Sequence, residues 1–78
     1  MEPVQSRMAR AALGWRIADL ATAAGIGTAT AARFELGQQV AAETVSAIRA
    51  AYEAAGIVLI AKGDRSAPGG VGVRLQAS

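Results

Sequence analysis

Seventy-eight residues carry eight Lys or Arg against six Asp or Glu, a formal charge of +2, with 53% apolar residues and neither Cys nor His. A chain this short builds one core and is marginally stable alone. The lack of Cys and His excludes a disulfide framework, a thiol nucleophile, Ser-His or Cys-His pairs and the usual soft-metal sites; it is compatible with a reducing, cytoplasmic setting.

Twenty of the apolar residues are alanines, so large core-forming side chains are few, and an Ala-rich, Pro-poor chain favours helices. No apolar run approaches the roughly 18 residues of a membrane span. The opening MEPVQSR lacks the positive start and apolar core of a signal peptide. The chain therefore reads as unexported, with no membrane partner. The positive balance leans towards an anionic partner without deciding it, because in residues 1–36 four arginines face three carboxylates.

Apolar spacing predicts a first helix over residues 4–13, with Val4, Met8, Ala11 and Ala12 recurring along it, Arg7 and Arg10 on another face, and a stop near Gly14. Ile17, Leu20, Ala21 and Ala24 follow the i, i+3, i+4, i+7 pattern of a short second helix, which Gly25 ends as a left-handed cap. After Ile26 and Gly27 a third helix runs over residues 28–36, with Ala31 and Phe34 inward and Gly37 as its stop. Helices of about eight residues are marginal alone, so this pair must be held by the rest of the core. A fourth helix, from Ala42 or Glu43 to Ala55, places Val45, Ile48, Tyr52 and Ala55 on one side and closes at Gly56.

Beyond Gly56 the period changes. Ile57 to Ile60 is a β-branched apolar run, and Val71, Val73 and Leu75 alternate with Gly72 and Arg74 as in a half-buried strand. Residues 61–70 have turn composition and read as a mobile loop between the strands. Two strands alone are too weak to stand, so they must lie on helix 4 or join a larger sheet with a second copy; the sequence leaves open whether they pair within one chain or between two.

Two short helices joined by a glycine-containing turn outline a helix-turn-helix, in which the second helix enters the DNA major groove and the first braces it. The stretch ALGWRIADLATAAGIGTATAARFELGQQV, with helix 4 behind it, resembles the phage-repressor and Cro-like helix-turn-helix family, also called XRE, over residues 5–56. Carrying the resemblance are Leu-Gly-Trp before helix 2, Asp-Leu-Ala within it, Gly-Ile at the turn and Arg-Phe-Glu-x-Gly at the close of helix 3. The tail, from Ala54 to Leu75, resembles the strand extension of small bacterial members.

The resemblance implies a mainly α protein, a four-helix repressor-like domain over residues 1–56; the short strand pair over 57–78, whose edges and apolar faces need cover, is the expected dimerisation element. It implies that Thr28, Ala29, Ala32 and Arg33 face bases, with Thr30 near a sugar or phosphate. Arg33 suits guanine O6 and N7, Thr28 a base edge or phosphate, and Ala29 or Ala32 a thymine methyl. Arg16, Gln38 and Gln39 match positions that hold the DNA backbone and fix register. The family commonly pairs a helix 1 arginine with the glutamate near the end of helix 3, which makes Arg10 and Glu35 a structural clamp. The chain departs from the pattern in carrying Arg16 and Ile17 where Ser or Thr and then Gln are usual, and Gly27 and Ala32 where Ser is common. Helix 2 thereby loses a capping hydroxyl, Ile17 is either core or an apolar side chain on the DNA face, and specificity leans on Arg33 and DNA shape.

Other conspicuous residues have plainer readings. Trp15, Phe34 and Tyr52 read as packing; Arg7, Arg49, Lys62 and Arg65 as solvated surface; Arg74 as the wet face of its strand. Gly69 and Gly70 are not a phosphate loop, because no strand, glycine loop and helix order surrounds them. The carboxylates are scattered without a paired spacing, which argues against an enzyme, and no cofactor is implied. The expectation is thus a sequence-selective DNA-binding regulator of bacterial type, cytoplasmic and nucleoid-associated, whose partners are double-stranded DNA and a second copy of itself. The alternative is a helix-turn-helix module that docks a protein partner, antitoxin-like, with weak or no DNA binding.

Overall fold

The computed structural model describes residues 1–60 and 72–76. Four helices precede an antiparallel strand pair: α1 Pro3–Leu13, α2 Ile17–Ala24, α3 Thr28–Glu35, α4 Ala42–Ala54, β1 Ile57–Ile60 and β2 Gly72–Leu75. Four of the six elements among the described residues being helical, the chain is mainly α, with the strand pair towards its C-terminal end. None of the described helices is long and apolar enough to cross a membrane.

Local chemistry explains the helix ends. Pro3 opens α1, where a missing N–H costs nothing, and the Gln5 side-chain carbonyl accepts the Glu2 N–H at 2.7 Å. Gly25 sits at φ 68°, the left-handed region that a Cβ disfavours. Its turn lets Ile26 N–H reach Ala21 O at 3.0 Å, closing α2 and reversing the chain within three residues.

α2 packs on α3 and α4, and α1 packs on α3. At their junction lie Ala9, Leu20, Ala21, Ala31, Phe34, Ile48, Tyr52 and Ile57. The alanines allow close helix approach, and burying each large member contributes about 1.5–3 kcal/mol. Trp15 stacks on Tyr52 with ring centroids 5.8 Å apart, so it is packing. Val45 packs on the same cluster from α4, and Ala51, absent from the expected inward set, is buried beside it.

The inward face of α1 differs from the one its apolar spacing predicts. Gln5, Ser6 and Ala9 are buried, whereas Met8, Ala11 and Ala12 are exposed and Val4 is half-buried. Polar groups bury here because partners await them. Gln5 Nε2 donates to the main-chain carbonyls of Ile60 and Gly72, 3.1 Å each, and Ser6 meets Glu35 and Tyr52. Every buried side-chain nitrogen and oxygen among the described residues has a partner.

The strands pair within the chain, Ile57 opposite Leu75 and Ile60 opposite Gly72. β1 leans on α4 and β2 on α1, so the hairpin covers two helices. Ile57 belongs to the helices' core. Val73 is half-buried and Arg74 exposed as their alternation predicts, but Leu75, at the end of the ladder away from Gln5, is 54% exposed. Val71, Lys62, Arg65 and the two glycines at 69 and 70 lie outside the described residues.

Candidate nucleic-acid interface

The helix α2, the turn over residues 25–27 and α3 form the outline expected from the sequence. α3 buries Ala31, Phe34 and Glu35 and turns its other side outward. Thr28, Ala29 and Arg33 are exposed; Thr30 and Ala32 are half-buried. Ala29, Ala32, Arg33 and Leu36 stand at i, i+3, i+4 and i+7, one stripe along the helix opposite Phe34.

Gly27 precedes α3 and provides no side-chain cap. The first intrahelical bond is Ala31 N–H to Gly27 O, 3.1 Å, so the N–H groups of the first turn have no partner within the helix. Such a terminus favours negative charge. At the other end Arg33 Nη2 donates to Thr30 Oγ1 at 3.3 Å, which lays the guanidinium back along the exposed face.

Arg16 is exposed at the start of α2. Its own N–H is accepted by the Asp19 carboxylate at 2.8 Å, half of a capping box that compensates for the absent hydroxyl. Asp19 enters the sequence reading only as the first residue of the Asp-Leu-Ala motif, without a capping role, although an acid three positions after a helix start carries that meaning. Gln38 and Gln39 are exposed in the segment between α3 and α4. Around α3, then, stand one cation before α2, one on α3 itself and two amides after it.

Glu35 anchors α3 from beneath. Arg10 Nε donates to Glu35 Oε2 and Arg10 Nη2 to Oε1, both at 2.8 Å, and Arg10 Nη1 reaches Trp15 O at 3.3 Å. Ser6 Oγ donates to Glu35 Oε2 at 2.6 Å. With the Ser6 proton so placed, the single Tyr52 hydroxyl proton is shared between Ser6 Oγ, 2.7 Å away, and Ser6 O, 3.0 Å away. Arg7, expected only to solvate its surface, donates to the main-chain oxygen of Glu35, one of the carbonyls that α3 leaves open at its C-terminal end. Three side chains of α1 thus hold the last turn of α3.

Charge in this network is well placed. Burial pushes the Glu35 carboxyl up, but the hydrogen bonds from Arg10 and Ser6 and the charges of Arg10 and Arg7 outweigh it, so Glu35 stays below its ordinary value. The bond to Glu35 raises Arg10 against the opposing effect of burial. Burial, with the nearby Glu35 charge, pushes the Tyr52 hydroxyl up to about 12 even though its bond to Ser6 works the other way.

Beside Glu35 opens a groove of about 300 Å³ lined by Arg7, Arg10, Ile17, Ala32, Glu35 and Leu36. Ile17 packs on the core, the first of its two alternatives, and its outer side lines this groove. Leu36 is 74% exposed, an exposure that no local pattern in the chain foretells.

A family model described as helix-turn-helix matches residues 7–54, from the middle of α1 to the last residue of α4. No curated protein and no solved structure matches the chain. The match covers well over half of the sequence, and the chain belongs to the helix-turn-helix family, of the Cro/repressor-like XRE type, a family of DNA-binding regulators.

Proposed function

We propose that this protein is a sequence-selective transcriptional regulator that inserts α3 into the major groove and binds as a homodimer. What carries the reading is α3 itself: an uncapped N-terminus with Thr28, Ala29 and Arg33 exposed, on a helix fixed from behind by Phe34 and Glu35. Arg33 makes the base contact, Thr28, Ala29 and Ala32 line the base edges, and Thr30, Arg16, Gln38 and Gln39 hold sugar and phosphate. Arg10 and Glu35 act as the clamp that keeps the helix presented. The protein works in the cytoplasm of a bacterial cell, on the nucleoid, as a binding protein and not an enzyme.

One eight-residue helix reads too few base pairs to define a regulatory site, which favours two copies on half-sites a helical turn apart. The C-terminal strands are the proposed contact. Gln76 N–H donates to Gly56 O, and this parity turns the main chain of Val73 and Leu75 away from β1, leaving an outer edge on β2.

The experiment is selection of bound fragments from random duplex DNA, read with the protein's mass in solution. A two-fold symmetric consensus and a dimer mass support the proposal; no enrichment at low salt overturns it. The second reading, a module that docks a protein partner, is favoured by one observation, the apolar lining that Ile17, Ala32 and Leu36 give the groove. Salt distinguishes the two, because binding through several phosphates weakens steeply as ionic strength rises and an apolar contact does not.

A further inference from the structure

The outward stripe of α3 contains one polar residue, Arg33, among Ala29, Ala32 and Leu36. Leu36 ends that stripe at 74% exposure, the most exposed large apolar side chain among the described residues. It does not stand alone: it lines the groove together with Ile17 and Ala32, and Arg7, Arg10 and Glu35 complete the lining. The groove thus joins three helices, at a volume near the lower end of the range for ligand pockets.

The charges around it are unequal. Glu35 is occupied by Arg10 and Ser6, so it offers little attraction to a cation. Arg7 is exposed and spends a donor on a main-chain oxygen, which leaves its charge without a carboxylate of its own. Arg16 adjoins Ile17 and Arg33 adjoins Ala32, with Asp19 the other anion nearby. Two cations, Arg7 and Arg10, and one anion, Glu35, line the groove itself, and the exposed residues next in sequence to its apolar lining add two cations, Arg16 and Arg33. An occupant matching this surface brings a bulky apolar side chain together with carboxylates. A DNA backbone supplies the negative charge but nothing to cover an aliphatic lining, and desolvating phosphates against Ile17 and Leu36 is costly. A peptide supplies both.

We propose that this groove docks an acidic, apolar peptide segment of a second protein, one Leu, Ile or Phe seated over Ile17, Ala32 and Leu36 with flanking carboxylates on Arg7 and Arg16, and that docking displaces DNA. The displacement rests on the reading of α3 given above, since Ala32 and Arg16 serve both surfaces. The occupant is then a release factor for the DNA-bound regulator.

The test begins with random dodecapeptides displayed on phage and selected against the full-length chain. The expected consensus is one bulky apolar residue with Asp or Glu close on either side. A fluorescent synthetic copy of the consensus peptide is then titrated against wild type and against Leu36→Ser, a change at an exposed site that leaves the melting curve in place. Leu36→Ser weakens the peptide at least about tenfold, and Leu36→Met restores it. Both variants keep affinity for the selected duplex within about twofold, and the peptide releases labelled duplex from wild type.

A consensus without carboxylates, or peptide binding indifferent to Leu36→Ser, overturns the proposal, as does a ternary complex of protein, peptide and DNA. Loss of duplex affinity on Leu36→Ser equal to the loss of peptide affinity assigns the groove to DNA and overturns the docking while the DNA reading stands. A fall in mass from dimer to monomer on Leu36→Ser assigns the groove to a second copy and likewise overturns the docking. If wild type binds no duplex, the DNA reading and the displacement fail together, and the peptide titration alone decides the docking.

Discussion

Arg10 grips Glu35 through two parallel hydrogen bonds of 2.8 Å, joining helices whose contacting residues lie 25 positions apart. Glu35 is 7% exposed, so removing its partner strands a charge in poorly hydrated surroundings. Arg10→Met and Glu35→Ala should each cost about 3 kcal/mol in urea unfolding, and the double variant should cost clearly less than the sum. Additive losses would mean that packing around Phe34, and not the ion pair, holds α3.

Acid stability follows from the same pair. The folded-state value of Glu35 lies below the ordinary 4.5, so the unfolded chain takes up the proton first. The stabilisation is therefore complete above that pH and is lost as pH falls from it through the folded value. Thermal unfolding followed across the acid range should show this limb in wild type and a flatter one in Glu35→Gln.

Tyr52 governs the alkaline side with the opposite sign. Its hydroxyl is pushed from 10.0 up to about 12 by burial first, so the folded state favours the protonated form. Its contribution is complete below pH 10 and is lost as pH rises through the folded value. Ultraviolet titration should show the phenolate forming together with loss of helix signal. Tyr52→Phe, which lacks the proton given to Ser6, should lose about 1–2 kcal/mol at neutral pH and show no such limb.

The turn before α3 allows a comparison of two glycines. A Cβ at Gly25 meets nothing within 4 Å, but φ is +68°; at Gly27 φ is −72° and the nearest atom is Thr30 Oγ1 at 3.9 Å. Gly25→Ala should cost about 1 kcal/mol, lowering the melting midpoint by roughly 4–8 °C, whereas Gly27→Ala should be near neutral. Equal effects would show that the backbone conformation at Gly25 is not what limits the turn.

On DNA the two arginines should separate. Arg33→Ala relaxes base preference at one position of the selected site, at a cost of about 1–3 kcal/mol for the preferred base. Arg16→Ala weakens all duplexes alike and reduces the salt slope by about one. Competition assays with the consensus and with a shuffled duplex give both readings, and unchanged binding by both variants removes the proposed face.

Much of the fold is legible in the sequence because its signals are local. Gly14, Gly25, Gly37 and Gly56 stand at positive φ where the helices end, and the spacing of Leu20, Ala21, Ala31, Phe34, Ile48 and Tyr52 places the core. The inward face of α1 is not legible, for the complementary reason. Periodicity ranks Met8 above Ser6, yet Ser6 is fully buried and Met8 exposed, because Glu35 and Tyr52, 29 and 46 residues away, satisfy the Ser6 hydroxyl.

For the candidate site, the exposure of Thr28, Ala29 and Arg33 follows from helical geometry once Ala31 and Phe34 are inward. The groove beside them does not, since Ile17, Ala32 and Leu36 meet only when three helices are assembled. The sequence by itself determined the helices, their stops and the helix-turn-helix outline, because backbone preference and apolar period act over a few residues. Only the tertiary structure decided which polar side chains go inside and that the strands pair within one chain across α1 and α4, because burying a polar group is favourable only where a distant partner is brought within hydrogen-bond reach.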